Sequence, residues 1–250
     1  MLTGDKLAAS LVDELIDIGL PNMAATLEAL YRSDRFLKLD HLSLISELIT
    51  SEYEEKVSKR VNNRLRHAKL IGCPQLLSGC VDSREREYLP SGITGTLSSL
   101  SFVKEGLNIC ILGASDSGRT YLAKAIGIEA CSGYKVEYHH CETFLEDMVA
   151  LKNADYGKYE RKLRLLTKLD LLILDDFLLH TITDEREVKI LFMVLEKRNE
   201  AGKSTIVCSQ REPKSWASMI LNDEVSANAI TKRATRHYTV VIKTSTEWQS

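Results

Sequence analysis

Apolar residues recur at three- and four-residue intervals from the start of the chain. Leu7, Leu11, Leu15 and Ile18 predict one helix, which Gly19-Leu20-Pro21 ends. Met23, Leu27 and Leu30 begin a second, and Leu42 to about Leu70 predicts a third, with Leu44, Leu48, Tyr53 and Val57 along one side. Residues 71–100 lose this period. Gly72, Pro74, Gly79, Pro90, Gly92 and Gly95, with interspersed serines, read as a linker that wraps or precedes the next domain.

Short apolar runs then alternate with helical stripes. Strand Asn108–Leu112 leads to helix Thr120–Cys131, and strand Lys135–His139 to helices Glu142–Leu151 and Lys158–Lys168. Strand Leu171–Asp175 is followed by helix Asp184–Asn199, and strand Ser204–Ser209 by a helix over Val225–Arg236 and a last strand, Tyr238–Lys243. This rhythm implies an α/β fold, a parallel sheet with helices on both faces. The expected organisation is a small all-α domain over 1–70, a linker over 71–100 and an α/β domain over 101–250.

The first strand of the α/β domain runs into Gly113-Ala114-Ser115-Asp116-Ser117-Gly118-Arg119-Thr120-Tyr121. That is the phosphate-binding P-loop pattern, G-x-x-x-x-G-K-[ST], with arginine in place of lysine. In such a loop backbone N–H groups close around phosphate oxygens, and the following helix offers its positive end to the anion. Thr120 supplies the hydroxyl expected on Mg²⁺. Alone the match is weak. It gains weight from Leu171-Leu172-Ile173-Leu174-Asp175-Asp176, a buried strand ending in two carboxylates at the edge where open α/β sheets place ligands. Asp175 is expected to help hold Mg²⁺ and Asp176 to polarise an attacking water; a core strand that ends in a polar turn is the plainer alternative.

Ser209 and Gln210 end a strand beside the phosphates, either as sensors of a γ-phosphate or as a helix cap. Lys232, Arg233 and Arg236 lie too far along the chain to belong to the P-loop. An arginine reaching a neighbouring subunit's site and an ordinary basic surface helix both fit them. The second half of the third helix carries Lys56, Lys59, Arg60, Arg64, Arg66, His67 and Lys69, as a solvated face or a face that tracks a phosphate backbone.

Composition narrows the class. The chain has 250 residues, 27% charged and 44% hydrophobic, as expected of an ordinary globular protein with room for a substantial core. Its net charge of −2 does not itself signal nucleic-acid binding, so any basic surface must be local. The six cysteines show no metal-finger spacing, and Cys110 and Cys208 read as reduced core residues. No stretch has the pattern of a secretion signal or a membrane span, which points to the cytoplasm and to no membrane partner.

Several runs together carry a resemblance. They are Leu112-Gly-Ala-Ser-Asp-Ser-Gly-Arg-Thr-Tyr-Leu-Ala123, Ala130-Cys-Ser-Gly-Tyr-Lys-Val-Glu-Tyr138, Leu169-Asp-Leu-Leu-Ile-Leu-Asp-Asp-Phe177 and Ser204-Thr-Ile-Val-Cys-Ser-Gln210, with Trp216 shortly after. Nearly the whole chain resembles the IstB-like helper ATPases of bacterial insertion sequences, relatives of DnaC and DnaA within the AAA+ class of P-loop NTPases. The resemblance implies an ATP- and Mg²⁺-dependent homo-oligomer on double-stranded DNA that recruits and stimulates a cognate transposase. It implies an arginine finger at Arg233, a first sensor at Ser209 or Gln210, and DNA-facing positions at Lys158, Arg161 and Arg164 besides Lys59, Arg60 and Arg64.

Two departures bear on chemistry. The family usually has glycine at Asp116 and lysine at Arg119, and a forked guanidinium does not replace a compact ammonium in a cramped loop. Hydrolysis is therefore expected to be impaired while ATP still binds. A non-hydrolysing nucleotide- or DNA-binding relative and a DnaC-like helicase loader are the competing readings.

Overall fold

The computed structural model describes residues 4–33, 35–221 and 223–245. The chain divides into two compact units, 1–63 and 64–250. The first holds α1 (Gly4–Asp17), α2 (Pro21–Tyr31) and most of α3 (His41–His67), whose last turn belongs to the second. Within the first unit, the Glu52 carboxylate of α3 accepts the N–H groups of Asn22 (2.9 Å) and Met23 (3.2 Å), which open α2 after Pro21. An acid from another helix thus caps α2 where its own N-cap residue, Leu20, has no side-chain acceptor. Burial pushes this carboxyl up, but the two backbone bonds and Lys56 outweigh it and hold the group below its ordinary value.

The second unit carries β1 (Arg86–Leu89), α4 (Ile93–Ser98), α5 (Ser101–Glu105), β2 (Ile109–Gly113), α6 (Arg119–Ala130), β3 (Val136–His140), α7 (Cys141–Ala154), α8 (Tyr156–Lys168), β4 (Leu171–Asp175), α9 (Glu185–Glu200), β5 (Ser204–Ser209), α10 (Glu224–Ala234) and β6 (Tyr238–Thr244). The sheet order is β1-β6-β2-β5-β4-β3; β1 pairs antiparallel with β6, and every other pairing is parallel. Alternation along the strands divides the core. Ile109, Ile111, Ile173 and Ile206 face one cluster with α4, α5 and α6, while Cys110, Leu112, Leu172 and Val207 face the other with α7, α8, α9 and α10. The sheet is thus covered on both sides, as the strand–helix rhythm predicts. Cys110 and Cys208 are buried free thiols, and burial pushes Cys110 up to about 12.

The expected linker is not one. Residues 71–100 supply edge strand β1, the short helix α4, a 3₁₀ turn at Leu77–Gly79 and the buried side chains Leu77, Cys80, Tyr88, Ile93, Leu97 and Leu100. Ala68 and Leu70 join the same core, and Ala68 O accepts the N–H of Tyr138 (3.1 Å), so the unit boundary lies at 63/64 and not at 70. The glycines and prolines that disguise this stretch mark the turns between its short pieces. Among the described residues no helix is long and apolar enough to cross a membrane.

On the sheet face covered by α8, Glu137 lies 2.9 Å from His139 Nε2 and accepts from Lys162 Nζ at 2.8 Å. Burial pushes this carboxyl up, but the two partners outweigh it and hold the group at about 2, against an ordinary 4.5. Its contribution to stability is therefore full above pH 4.5, shrinks as the pH falls and is gone near pH 2. Against Glu137→Gln, the unaltered chain should lose up to about 3 kcal/mol across that window in denaturant unfolding at stepped pH; parallel curves would contradict the pairing. Glu52→Ala, which leaves two N–H groups at the start of α2 without their acceptor, should cost about 1–2 kcal/mol of unfolding free energy at neutral pH.

Candidate functional site

The carboxyl ends of β2, β4 and β5 meet at one edge of the sheet, and the sequence-predicted nucleotide residues gather there. β2 ends in Gly113, and the loop rises through Ala114, Ser115, Asp116 and Ser117 to Gly118, the N-cap of α6 with φ +99°. A side chain at Gly118 would be strained in that conformation. Asp116 is at φ +60°, also in the left-handed region, where glycine is the easier tenant. Its side chain is exposed at the tip of the loop.

The Arg119 side chain, first in α6, turns back: Nη1 donates to Gly113 O at 2.6 Å. The guanidinium thus serves the loop's own backbone. Ser117 Oγ is buried without a hydrogen-bond partner and packs against Gly113, leaving an unused donor inside the cradle. Thr120 and Tyr121 follow in the first turn, and the Tyr121 hydroxyl accepts the N–H of Leu76 at 3.2 Å. A twelve-residue helix start, a loop of backbone donors and an unsatisfied hydroxyl suit a polyphosphate.

β4 delivers the paired carboxylates. Asp175 is buried; its Oδ2 accepts from Tyr138 Oη at 2.6 Å and its Oδ1 from the Asp176 N–H at 3.0 Å. Burial, and then the bond to Asp175, push the Tyr138 hydroxyl far above its ordinary range, so it stays a donor. Asp176 is at φ +53°, which swings its carboxylate out of the strand direction; His140 Nδ1 lies 3.1 Å from its Oδ2. His140, Asp175 and Asp176 each offer a ligand atom, all within 4.8 Å of one another. Each carboxylate oxygen keeps lone-pair capacity beyond the bond it already accepts, so the group suits a hard divalent cation. His140 escaped the sequence reading. Only the pairing of β3 with β4 brings it beside the carboxylates.

β5 lies between β2 and β4 and pairs Ser209 with Leu112. Ser209 is buried, and its Oγ accepts the Arg211 N–H at 3.2 Å. Gln210 is exposed in an open groove of about 430 Å³ lined also by Gly113, Ala114 and Lys214. Both lie at the carboxyl end of β5, beside the loop that follows β2.

Arg233 is elsewhere. Its carbonyl accepts from Asn108 Nδ2 (2.8 Å), just before β2 begins, so the five residues of β2, about 16 Å of strand, separate it from the P-loop. Its side chain pairs with Glu196 and lies over the Phe192 ring, 4.7 Å from the centroid. It therefore has no part in its own chain's site.

The basic candidates divide. Lys158, Arg161 and Arg164 lie on the exposed side of α8, opposite buried Tyr159, Leu163 and Leu166; Lys158 pairs with Asp155 at 3.5 Å. Lys59 and Arg60 are exposed on α3, Lys59 paired with Glu55 at 3.2 Å. Arg64 departs from the expectation. Its Nη1 donates to the carbonyls of Ser132 (2.7 Å) and Cys131 (3.2 Å), closing the C-terminal end of α6, so it is a capping residue rather than part of a free basic face.

Comparison with known proteins accords with this geometry. The insertion sequence ATP-binding protein y4pL of Sinorhizobium fredii is 30% identical over 216 residues, 86% of each chain. The DnaC helicase loader superposes with a TM-score of 0.52 at 20% identity, covering 68% of this chain and 98% of that one. The replication initiator DnaA, bound to AMPPCP and single-stranded DNA, superposes with a TM-score of 0.56 at 21% identity over 69% of this chain, which spans about half of DnaA's length. At such identities these two establish the fold alone: a P-loop sheet of the AAA+ kind. The family profile described as IstB-like ATP binding protein matches residues 13–248, and the chain belongs to that family.

Proposed function

We propose that this chain is an ATP-binding helper of an insertion sequence, which assembles on double-stranded DNA and there recruits and stimulates its transposase. The observation that carries the nucleotide part is the P-loop between β2 and α6, with paired carboxylates two strands away and the sensor strand between them. Residues 113–121 hold the polyphosphate. Thr120 and Asp175 would hold Mg²⁺, which neutralises charge on the phosphates when bound. Asp176 orients and polarises the attacking water, with His140 fixing the carboxylate, and Ser209 and Gln210 read the γ-phosphate. Arg233, remote from its own site, acts on a neighbouring subunit of a homo-oligomer after leaving Glu196.

DNA is engaged by Lys158, Arg161 and Arg164 of α8 and by Lys59 and Arg60 of α3. With a net charge of −2, such local groups must supply the phosphate contacts. The family membership and the insertion-sequence relative support the transposition role.

One observation favours a second reading, in which nucleotide gates assembly without turnover. Arg119 is bonded to Gly113 O, so the cation that would follow charge onto the transferring phosphoryl group is held by the loop. ATP turnover with and without duplex DNA, for this chain beside Arg119→Lys, separates the two. Arg119→Lys should turn over on the order of 10²-fold faster, the usual worth of one well-placed transition-state donor, with ATP binding retained in both. Equal turnover would make the arginine a working substitute, and absence of ATP binding in both would remove the nucleotide reading. In the Arg119→Lys background, Asp176→Asn should bind ATP and hydrolyse it at least about 10²-fold more slowly.

Arg161→Glu with Arg164→Glu should weaken duplex binding at every sequence and flatten its salt dependence by about two units of log–log slope. An unchanged slope would place the DNA contact elsewhere.

A further inference from the structure

Among the described residues, three buried side-chain atoms have no hydrogen-bond partner: Ser117 Oγ, Arg86 Nε and Gln75 Oε1. All three belong to segments that meet at the start of α6. Ser117 is in the loop, and Gln75 precedes Leu76, whose N–H donates to Tyr121 in the first turn. Arg86 bears directly on Gly118. A Cβ built on that glycine would stand 3.0 Å from Arg86 Cζ and 3.3 Å from Nε.

The strand register explains the placement. β6 runs parallel to β2 with Ile242 level with Gly113, so Thr244, two residues on, is level with the loop. β1 runs the other way, and its first residue, Arg86, is opposite Thr244. Arg86 therefore begins β1 at the edge of the sheet where the other strands end. It shares a face with Tyr88, two residues on, which packs in the core beneath α6.

This is an unfavourable place for an uncompensated cation. The N-terminal end of α6 already carries about half a positive charge, and Arg86 forms no ion pair among the described residues. Its neighbours Cys80 and Tyr88 are pushed up by burial, and the Arg86 charge pulls against that shift without a carboxylate of its own. An anion at the loop satisfies both the helix end and the guanidinium. The loop's own arginine is meanwhile bonded to Gly113 O.

We infer that Arg86 is a phosphate-binding residue of the nucleotide site, a cation brought from the antiparallel edge strand to the P-loop that Arg119 leaves short of charge. The inference rests on the nucleotide reading above and adds a residue outside the loop pattern. The ligand class is a polyphosphate, and the contact is to phosphate oxygen rather than to base or sugar.

Calorimetric titration of the full chain with ATP and, separately, with inorganic triphosphate tests it. Arg86→Met should weaken both ligands by about 10- to 100-fold, the range for a lost charge-assisted bond. Arg86→Gln keeps a polar stem and should show the same loss, whereas Arg86→Lys should recover part of it. Thermal unfolding without ligand identifies any variant that has lost its fold, and the remaining two then decide. Unchanged affinity in Arg86→Met or Arg86→Gln would overturn the inference and leave the nucleotide site standing. Weaker ATP with unchanged triphosphate would overturn it too, by moving Arg86 to the base or sugar. If the unaltered chain binds neither ligand, the nucleotide reading falls and this inference with it.

Discussion

A parallel sheet covered on both faces confines its chemistry to one edge. Strands such as Leu171–Leu174 and Ser204–Cys208 are buried throughout, so polar side chains that serve a ligand must wait until the strand leaves the core. β2, β4 and β5 all run the same way, and they leave it side by side. Gly113, Asp175, Asp176, Ser209 and Gln210 converge for that reason alone. The loop, the carboxylates and the end of β5 are far apart in sequence, and the direction of the strands is what makes them neighbours.

That constraint also explains what could be read from residues and what could not. β4 and β5 match their expected bounds to the residue, because a fully buried strand is a continuous apolar run with polar ends. The long helices shift by up to three residues at their ends, where caps and not periodicity decide. β1 left no such trace. It has four residues, of which only Tyr88 is buried, and its pairing comes from β6, more than a hundred residues later. The short helices α4 and α5 were hidden for a similar reason: a single turn shows no period. Arg64 looked like its basic neighbours on α3 because the carbonyls it caps lie 67 and 68 residues away.

The site itself was legible as a set of positions but not as a set of partners. Arg119 and Asp116 stood out as departures, yet only the fold shows the first bonded to Gly113 and the second at positive φ. Arg233 was visible as a basic residue on the helix before the last strand. Its location by Asn108, at the opposite end of β2, is what removes it from its own chain's chemistry. His140 and Arg86 were missed as site residues because nothing in their immediate sequence marks them, and each acquires meaning from the strand next to it.

The stretch after the paired carboxylates carries one more consequence. Phe177 directly follows Asp176, its N–H donates to Cys208 O at 2.7 Å, and its ring lies 5.0 Å from that of fully buried Trp216. The indole N–H in turn donates to Arg211 O at 3.0 Å, two residues beyond Ser209. An indole wedged between the carboxylate turn and the turn after β5 feels both. The protein thus contains its own optical reporter: a change at either turn alters the surroundings of the buried Trp216 indole, with no label attached.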